Sequence, residues 1–455
     1  MTQPRKTVAI IGAGPVGLAA AAHVLERGMN PIVLEAGPKA GHAVEQWRHV
    51  RLFSPWEYNI DRAAERLLAS AGWNSPDPQV YPTGAELLAQ YIEPLANRTA
   101  LRTHIQTASR VTAISRVGFD KVKTKGRAQA PFEIRYQNGA GPKTLRADAV
   151  IDASGTWSSP NPAGGNGITA AGETEASANI AYAMPDVLGR DRARYAGKTV
   201  AVIGSGHSAI GTLIDLVQLK REVLGTEPIW LLRGDNPKKA FGGGANDKLV
   251  ARGELGAAFE RLVADGQVKI ETGFAVSHID SVAEQLRVAT GSGCCGRALT
   301  VDELVVATGF RPDFSFLREL RLALDPALEC APALAPLIDP NDHSCGTVRP
   351  HGARELAQPE PGLYIAGMKS YGRAPTFLML TGYEQVRSIV ADIAGDRAAA
   401  ERVELVLPET GVCNLSGGAP DSSACCGGTA AQDTSACCRA DEKAKVESGK
   451  GCGCG

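Results

Sequence analysis

The apolar positions of the chain repeat one pattern twice. Each time, five apolar and β-branched residues lead through a glycine-rich turn into an apolar stretch with helical spacing. The first copy is TVAIIGAGPVGLAAAAHVL, beginning at Thr7, and the second is TVAVIGSGHSAIGTLIDL, beginning at Thr199. A short apolar run followed by glycines and a helical pattern predicts a strand–turn–helix unit. Two copies about 190 residues apart predict two similar α/β domains.

The rest of the pattern predicts that one domain is inserted within the other. After the first copy come the strand NPIVLEA, a helix at ELLAQYIEPLANR (86–98), antiparallel strands around IQTASRVTAISRV and FEIRYQ, and an apolar strand in ADAVIDASG. After the second copy come the strand PIWLLRG, the helix KLVARGELGAAFERLVAD and the strand ELVVATG. GLYIAG and the helix TFLMLTGYEQVRSIVADIAG then resemble the first unit again. We therefore predict a first domain from 1–165 and 306–407, an inserted domain at 166–305, and a tail at 408–455.

Composition and charge exclude several classes of protein. The chain has 455 residues and a net charge of −1, so it has no basic excess to neutralise nucleic-acid phosphates or an anionic membrane. Its apolar runs are too short and too interrupted to predict a membrane span. Because residues 1–7 lead straight into the first strand, we expect no signal peptide and a cytoplasmic location. Most of the eleven cysteines should then be reduced thiols.

The two glycine loops predict two dinucleotide sites. Gly12, Gly14 and Gly17 form the first loop, and Gly204 and Gly206 open the second, where an alanine takes the third position. Glycines at this spacing allow the tight turn and let the backbone approach a pyrophosphate at the helix N-terminus. Two dinucleotides held by one chain are typical of a flavin enzyme that takes electrons from a nicotinamide. Ser208, on the first turn of the second helix, is a further candidate contact.

The ribose positions of the two sites differ in charge. Glu35, which follows Gly12 by 23 residues, stands where an acid accepts hydrogen bonds from a ribose 2′-hydroxyl and repels a 2′-phosphate. The corresponding strand of the second unit ends in Arg233, with Lys238 and Lys239 close behind. Positive charge there suits the 2′-phosphate of NADPH. The difference assigns FAD to the first site and NADPH to the second.

Three further segments carry a resemblance to a known family. DASGTWSSP (152–160) and VATGFRPD (306–313) resemble the ATG-type segments that link the domains of flavoproteins with two dinucleotide-binding domains, and GLYIAG (362–367) resembles their last flavin-binding strand. Over about residues 7–396 the chain is similar to these flavoproteins, and among them to class B flavin monooxygenases and N-hydroxylases. It lacks the FxGxxxHxxxW signature of Baeyer–Villiger enzymes, so ketone oxidation is not expected.

The resemblance implies which residues contact the flavin and how the reaction proceeds. Gly155, Gly367 and Trp47 are candidate FAD contacts, whereas Met368 replaces an acid that contacts the ribityl chain in many relatives. In such enzymes NADPH reduces FAD, oxygen adds to give a C4a-hydroperoxide, and the distal oxygen passes to a nucleophilic lone pair. No acid–base constellation is recognisable, so no catalytic residue is assigned. Trp47 and Trp157 are either walls of the flavin pocket or ordinary packing residues.

Cysteines are concentrated near the C-terminus, in a segment with no aromatic residue after Tyr383. Such a composition predicts a disordered tail. Neighbouring cysteines have Cα atoms about 3.8 Å apart, too close for a relaxed disulfide, so the Cys-Cys pairs should remain dithiols that bind soft thiophilic ions. The irregular spacing and the lack of histidine argue against a zinc finger. The candidate ligands are Cys330, Cys345, Cys413, Cys425, Cys426, Cys437, Cys438, Cys452 and Cys454.

The flavin site together with the thiol tail points to a narrower resemblance. With HSCGTVRPHG and GMKSYGRAPTFLMLTGYEQVRS, the combination resembles flavin monooxygenases of arsenic-resistance operons. That resemblance implies oxidation of trivalent arsenic or antimony (arsenite, antimonite or methylarsenite) to the pentavalent state with NADPH and oxygen, the tail thiols capturing the metalloid. A cysteine-bearing tail without a role is the alternative for the tail itself. Another vicinal pair, Cys294 and Cys295, is predicted at an exposed hairpin tip.

Three other functions compete with this one. An N-hydroxylase of a small amine shares the cofactors but leaves the thiol tail unexplained. A thiol-linked reductase similar to mercuric reductase needs a cysteine pair just after the first nucleotide unit, and no cysteine precedes Cys294. A metal-sequestering flavoprotein without turnover would bind metalloid stoichiometrically, but it gives no reason for two intact nucleotide loops.

Overall fold

The computed structural model describes residues 5–242, 250–291, 296–341, 348–375 and 377–405. All of them lie in one compact body. The strands within these residues are β1 (Thr7–Ile11), β2 (Asn30–Leu34), β3 (Ile105–Gln106), β4 (Arg110–Arg116), β5 (Phe132–Asn138), β6 (Gly141–Ala147), β7 (Ala149–Asp152), β8 (Ile180–Tyr182), β9 (Thr199–Ile203), β10 (Glu227–Leu231), β11 (Lys269–Glu271), β12 (Val276–Val282), β13 (Gln285–Thr290), β14 (Ala298–Val301), β15 (Glu303–Val306) and β16 (Leu363–Ile365).

The helices of the same residues range from one turn to four. They are α1 (Pro15–Glu26), α2 (His42–Gln46), α3 (Arg62–Ser70), α4 (Gly84–Leu87), α5 (Glu93–Arg98), α6 (Arg192–Tyr195), α7 (His207–Glu222), α8 (Val250–Ala264), α9 (Ala335–Ile338), α10 (Ala353–Leu356), α11 (Met379–Ala394) and α12 (Arg397–Glu401). None of these described helices is both long and apolar enough to cross a membrane.

Two five-stranded parallel sheets form the framework, as the repeated pattern predicts. The first sheet has the order β16-β7-β1-β2-β3, and the second has the order β11-β10-β9-β15-β8. Strands of a parallel sheet are buried on both faces, which is why β1 and β9 consist almost wholly of buried aliphatic residues. The mixed α/β fold with two Rossmann-like sheets is therefore confirmed.

The insertion is visible in the strand order. β16, from near the end of the described chain, pairs with β7 of the first sheet, while every strand of the second sheet lies between them in sequence. The distribution of strands follows the predicted insertion. The domain limits at 165, 305 and 407 stay predictions.

Two small antiparallel sheets complete the fold, and they contain a strand that the apolar pattern did not predict. β4 pairs with β5 as expected, but β5 continues through a tight turn into β6, GPKTLRA, most of whose residues are exposed. A strand with little buried surface has no alternation to recognise, so the sequence pattern alone could not reveal it. The second small sheet, β12-β13-β14, is the predicted hairpin with one added strand.

The helix predicted at 86–98 is present but interrupted. Thr83 caps α4 through a capping box with Glu86, and the π-helical segment Leu88–Ile92 joins α4 to α5. Pro94 has no N–H to donate to the carbonyl of Gln90, and that carbonyl instead accepts the indole N–H of Trp73 at 2.7 Å. The proline thus explains the local departure from a regular α-helix.

Several predicted features lie outside the described residues. They are the tail at 408–455, the pair Cys294 and Cys295, and the candidate ligand Cys345.

Candidate functional site

The first glycine loop, which we call the first cradle (residues 12–17), has the geometry of a dinucleotide site. Gly12 has φ +101°, and a Cβ there would lie 2.7 Å from the Ala153 carbonyl oxygen. A Cβ on Gly17 would lie 2.0 Å from the Gly12 carbonyl oxygen, so the helix packs on the turn only without a side chain. At Gly14, by contrast, a Cβ would meet nothing within 4 Å. The space beside Gly14, at the N-terminus of α1, is where a pyrophosphate fits.

The second cradle (residues 204–209) repeats the arrangement. Gly204 has φ +136°, and a Cβ there would lie 2.3 Å from the Ala307 carbonyl oxygen, whereas a Cβ on Gly206 would meet nothing within 4 Å. The third position is Ala209, which is buried against the turn. Ser208 is half-buried on the first turn of α7, and its carbonyl accepts the Thr212 hydroxyl. The second cradle therefore fits a dinucleotide as well.

Each cradle lies where its sheet reverses strand order. In the first sheet β1 has β2 on one side and β7 on the other, and in the second sheet β9 has β10 and β15. Dinucleotides bind at the carboxyl edge of a parallel sheet at such a switch point. The equivalence extends to the neighbouring backbone, because the first glycine of each cradle packs on the residue that follows β7 or β15.

Glu35 is fixed at the edge of the first cradle. One carboxylate oxygen accepts the Ala13 N–H at 2.7 Å and the other accepts the Gly37 N–H at 2.7 Å. These bonds tie the end of β2 to the glycine loop. A carboxylate has about four acceptor sites, so two remain for ribose hydroxyls.

The strand register changes one detail of the second ribose position. Gly12 N–H bonds to the Leu34 carbonyl, and Gly204 N–H bonds to the Leu231 carbonyl. Leu232 is therefore the structural counterpart of Glu35, and Arg233 stands one residue further on. The expectation that Arg233 itself takes the acid's position is thus wrong by one residue.

The side chain of Arg233 is exposed at this edge. Its guanidinium donates one hydrogen bond, 3.0 Å long, to the Gly165 carbonyl. The remaining N–H donors are available to a phosphate. Lys238 is also exposed, and the side chain of Lys239 lies outside what the structure describes.

Two chain segments that connect the sheets run side by side as a short ribbon, which we call the hinge. Pro160 and Phe310 form an antiparallel bridge, and Asn161 exchanges hydrogen bonds with Thr308. The Arg311 guanidinium donates to the Asn161 side-chain oxygen at 2.9 Å. These contacts join the end of the first ATG-type segment and the residue after it to the second such segment, and they connect the two sheets at one place.

The candidate tryptophans have packing partners. Trp157 stacks on Phe310 with ring centroids 4.9 Å apart, and its indole N–H donates to the Gln46 side chain at 2.8 Å. Trp47 is half-buried and packs on the core of the first sheet. Gly155, two residues before Trp157, has φ +69° and open space where its Cβ would stand.

A buried ion pair lies beneath the first cradle. Lys369 Nζ donates to Asp152 Oδ2 at 2.7 Å, and the two side chains are 1% and 0% exposed. Lys369 also donates to the Ser154 hydroxyl at 3.2 Å and lies 4.5 Å from the centre of the Phe316 ring. The pair joins the end of β7 to the turn after β16. The ammonium group of this pair belongs to Lys369, two residues after Gly367 and next to the half-buried Met368.

Gly367 itself begins that turn. Its N–H donates to the side-chain oxygen of Gln385 at 2.8 Å, and its φ is +72°. A Cβ there would lie 3.4 Å from the Val16 side chain. The last strand of the first sheet is therefore held close to the first turn of α1.

Cys330 is the one candidate metal ligand inside the described residues. Its side chain is 2% exposed in the core, and burial raises the pKa of the thiol to about 12. Metals bind the thiolate form, which this environment disfavours. Among the described residues, no group of three or more histidine, cysteine and acidic side chains is placed to hold a metal.

Sequence reasoning missed three features of the site. The Asp152–Lys369 pair joins residues 217 positions apart, and the contact of Phe53 with His207 and the bond of Trp157 to Gln46 also span distant segments. A single clue was present, because Asp152 is a charged residue at the end of an otherwise apolar strand. Nothing in the sequence identifies its partner.

Comparison with known proteins agrees with this geometry. Residues 9–345 match the model of a family described as pyridine nucleotide-disulphide oxidoreductases. A flavin-containing monooxygenase of Arabidopsis thaliana is 25% identical over 241 residues, 48% of each chain, so the chain spans about half the length of this curated relative.

Two solved structures share the fold over most of the chain. A bacillithiol disulfide reductase of Bacillus cereus has a TM-score of 0.62 at 20% identity, covering 86% of this chain and 99% of that one. The FAD-bound cadaverine monooxygenase of Erwinia amylovora has a TM-score of 0.61 at 14% identity, covering 90% and 99%. Because the family model matches most of its length, the chain belongs to the pyridine nucleotide-disulphide oxidoreductase family.

Proposed function

We propose that this protein is a monooxygenase that uses FAD and NADPH to oxidise a trivalent metalloid. The observation that carries the cofactor part is the pair of cradles, each with open space at its middle glycine and a close backbone contact at its first. FAD occupies the first cradle and NADPH the second. The flavin-containing monooxygenase among its relatives supports the same reaction class.

The residues of the two cradles bind and orient. The N-termini of α1 and α7 direct backbone N–H groups and positive helix dipoles at the pyrophosphates. Glu35 accepts hydrogen bonds from the adenosine ribose of FAD, while Arg233 contacts the 2′-phosphate of NADPH. Bound FAD supplies electron transfer and oxygen activation, which no side chain of the chain provides.

The thiols in the sequence support a trivalent metalloid as the substrate. Trivalent arsenic has a lone pair that accepts an oxygen atom, and thiolates bind it selectively among small solutes. The hydride of NADPH and one proton from solvent combine with the second oxygen atom to form water. Arsenite then becomes arsenate, and one NADPH is consumed for each.

The deciding experiment measures NADPH consumption by the FAD-loaded protein in air, with and without arsenite, and quantifies arsenate in the same samples. We expect arsenate in step with NADPH oxidised. Stoichiometric binding of arsenite without turnover would instead identify a sequestering protein. Peroxide release without arsenate would overturn the metalloid substrate while leaving the cofactors in place.

A truncation tests the part assigned to the tail. Removal of the residues after Pro408 should leave a yellow, NADPH-reducible protein that needs more arsenite for half-maximal rate. The matched control is the full chain with serine at the seven tail cysteines, which should behave like the truncation. If both variants keep the wild-type dependence on arsenite, the tail thiols do not capture the substrate.

N-hydroxylation of a small amine is the second candidate, because a cadaverine monooxygenase shares the fold. It predicts that small diamines, and not arsenite, couple NADPH oxidation to product. The same assay with cadaverine separates the two candidates.

A further inference from the structure

Residues 49–53, which we call the docking segment, reach from the first sheet's side of the molecule to α7. The segment is held firmly. The Val50 carbonyl accepts the Gly84 N–H at 2.9 Å, and the Leu52 N–H donates to the Pro82 carbonyl at 2.9 Å. Just beyond it, the fully buried Asn59 exchanges hydrogen bonds with Ser54. A segment fixed at both ends can transmit position to whatever it touches.

Its last residue touches the second cradle. The Phe53 ring lies against the His207 ring with centroids 5.0 Å apart and a tilt of 59°. His207 is the first residue of α7 and directly follows Gly206, beside which the space for the nicotinamide dinucleotide lies open. Phe53 therefore contacts the element that would hold the dinucleotide.

Its first residue touches the loop packed beside α7. His49 lies close to the backbone of Pro185, with the charged groups Asp186, Arg190 and Asp191 nearby. Burial, the largest influence, lowers the pKa of His49 below 6.5, so the ring is mainly neutral at pH 7. Its Nε2 is buried and has no hydrogen-bonding partner among the described residues. The contact between His49 and this loop therefore depends mainly on packing and not on charge.

The two contacts act on one rigid element. Met184, which begins the loop, lies against α7, its terminal methyl 3.1 Å from where a Gly211 Cβ would stand. Val187 of the same loop shares a hydrophobic core with Leu213 and Leu216 of α7. His49 and Phe53 therefore meet a single surface formed by α7 and its loop. Together with the hinge, this surface gives the second sheet a second point of attachment.

We propose that Phe53 and His49 are positioning residues for hydride transfer. This inference rests on the assignment of FAD to the first cradle and a nicotinamide dinucleotide to the second. The hinge connects the two sheets, and the docking segment sets how α7, and with it the nicotinamide, faces the flavin. Hydride transfer moves two electrons and a proton from the nicotinamide to the flavin, and it needs the reacting atoms about 3–3.5 Å apart.

The test is Phe53→Ala, studied without oxygen or metalloid by rapid mixing of the FAD-loaded protein with NADPH. A displacement near 1 Å costs up to about 100-fold in rate, so we expect flavin reduction at saturating NADPH to slow by about 10- to 100-fold. The NADPH dissociation constant and the rate of reduction by dithionite should change little. Phe53→Tyr should restore the rate, and His49→Leu should slow it in the same way.

Phe119→Ala is the matched control, since Phe119 is also half-buried but lies in the turn between β4 and β5, near Gly126. It should reduce at the wild-type rate. An unchanged limiting rate in both Phe53→Ala and His49→Leu would overturn the inference, as would weaker NADPH binding with an unchanged limiting rate. Wild-type protein whose flavin NADPH does not reduce would overturn the cofactor assignment itself, and this inference with it.

Discussion

Lys369→Met tests the buried ion pair beneath the first cradle. The change removes a cation that donates to Asp152 at 2.7 Å and to Ser154 at 3.2 Å. Asp152 Oδ1 keeps the Ser154 N–H and hydroxyl as donors, but Oδ2 loses the ammonium. A carboxylate left unpaired in a fully buried site costs about 3–5 kcal/mol of folding free energy. Methionine fills a similar volume, so little of the loss comes from a cavity.

The assay is thermal unfolding of the full chain, with the double variant Asp152→Asn/Lys369→Met beside the single one. A loss of about 3–5 kcal/mol corresponds to a fall in Tm of roughly 4–6 °C when the whole described body unfolds as one unit. The double variant leaves neither charge at this site and should recover more than half of that fall. Lys143→Met, at an exposed position of β6, should stay within about 0.5 kcal/mol of wild type.

Two results would refute this reasoning. One is a Lys369→Met variant whose free energy of unfolding is within about 1 kcal/mol of wild type, because removal of the cation from a fully buried pair should cost more than that. The other is a double variant as damaged as the single one, which would mean that packing, not charge, decides the loss.

Three further predictions follow from the cradles and α7. Gly17→Ala places a Cβ 2.0 Å from a backbone oxygen, so it should abolish FAD retention and lower Tm. Gly14→Val fills open space, so it should weaken FAD binding and leave the Tm of the flavin-free protein unchanged. Equal Tm losses in the two variants would contradict this. Arg233→Glu should shift the ratio of kcat/KM for NADPH to that for NADH by about 10- to 100-fold towards NADH, and an unchanged ratio would refute its phosphate role. Burial and the nearby Asp186 raise the pKa of Asp215 from 3.8 to about 6, so the free energy of unfolding falls as pH rises from about 4 to 6. Asp215→Asn should remove this pH dependence and raise the free energy of unfolding at pH 7 by about 3 kcal/mol. An unchanged slope of Tm against pH in this variant would contradict the prediction.

The local parts of the site follow from the sequence. The glycine spacing predicts both cradles because the local geometry at each position favours glycine. Gly12 has a positive φ, Gly14 borders open space, and Gly17 packs closely against backbone. Periodicity predicts the buried parallel strands for a similar reason, since burial on both faces demands unbroken apolar runs. The position predicted for Arg233 was off by one residue. Only the register of β10 against β9 revealed that Arg233 stands one residue beyond the counterpart of Glu35.

The sequence by itself determined the class of fold and the two glycine-rich cradles, because those depend on short-range geometry and on the pattern of apolar residues. Only the tertiary structure decided which distant residues meet: Lys369 beneath the first cradle, Phe53 against His207, and Cys330 in the core rather than at a surface. Those contacts join segments separated by many residues, and their free energy arises from burial and charge pairing that no local pattern encodes. The exposed strand β6 was missed for the complementary reason, since with little burial it leaves little signal in the sequence.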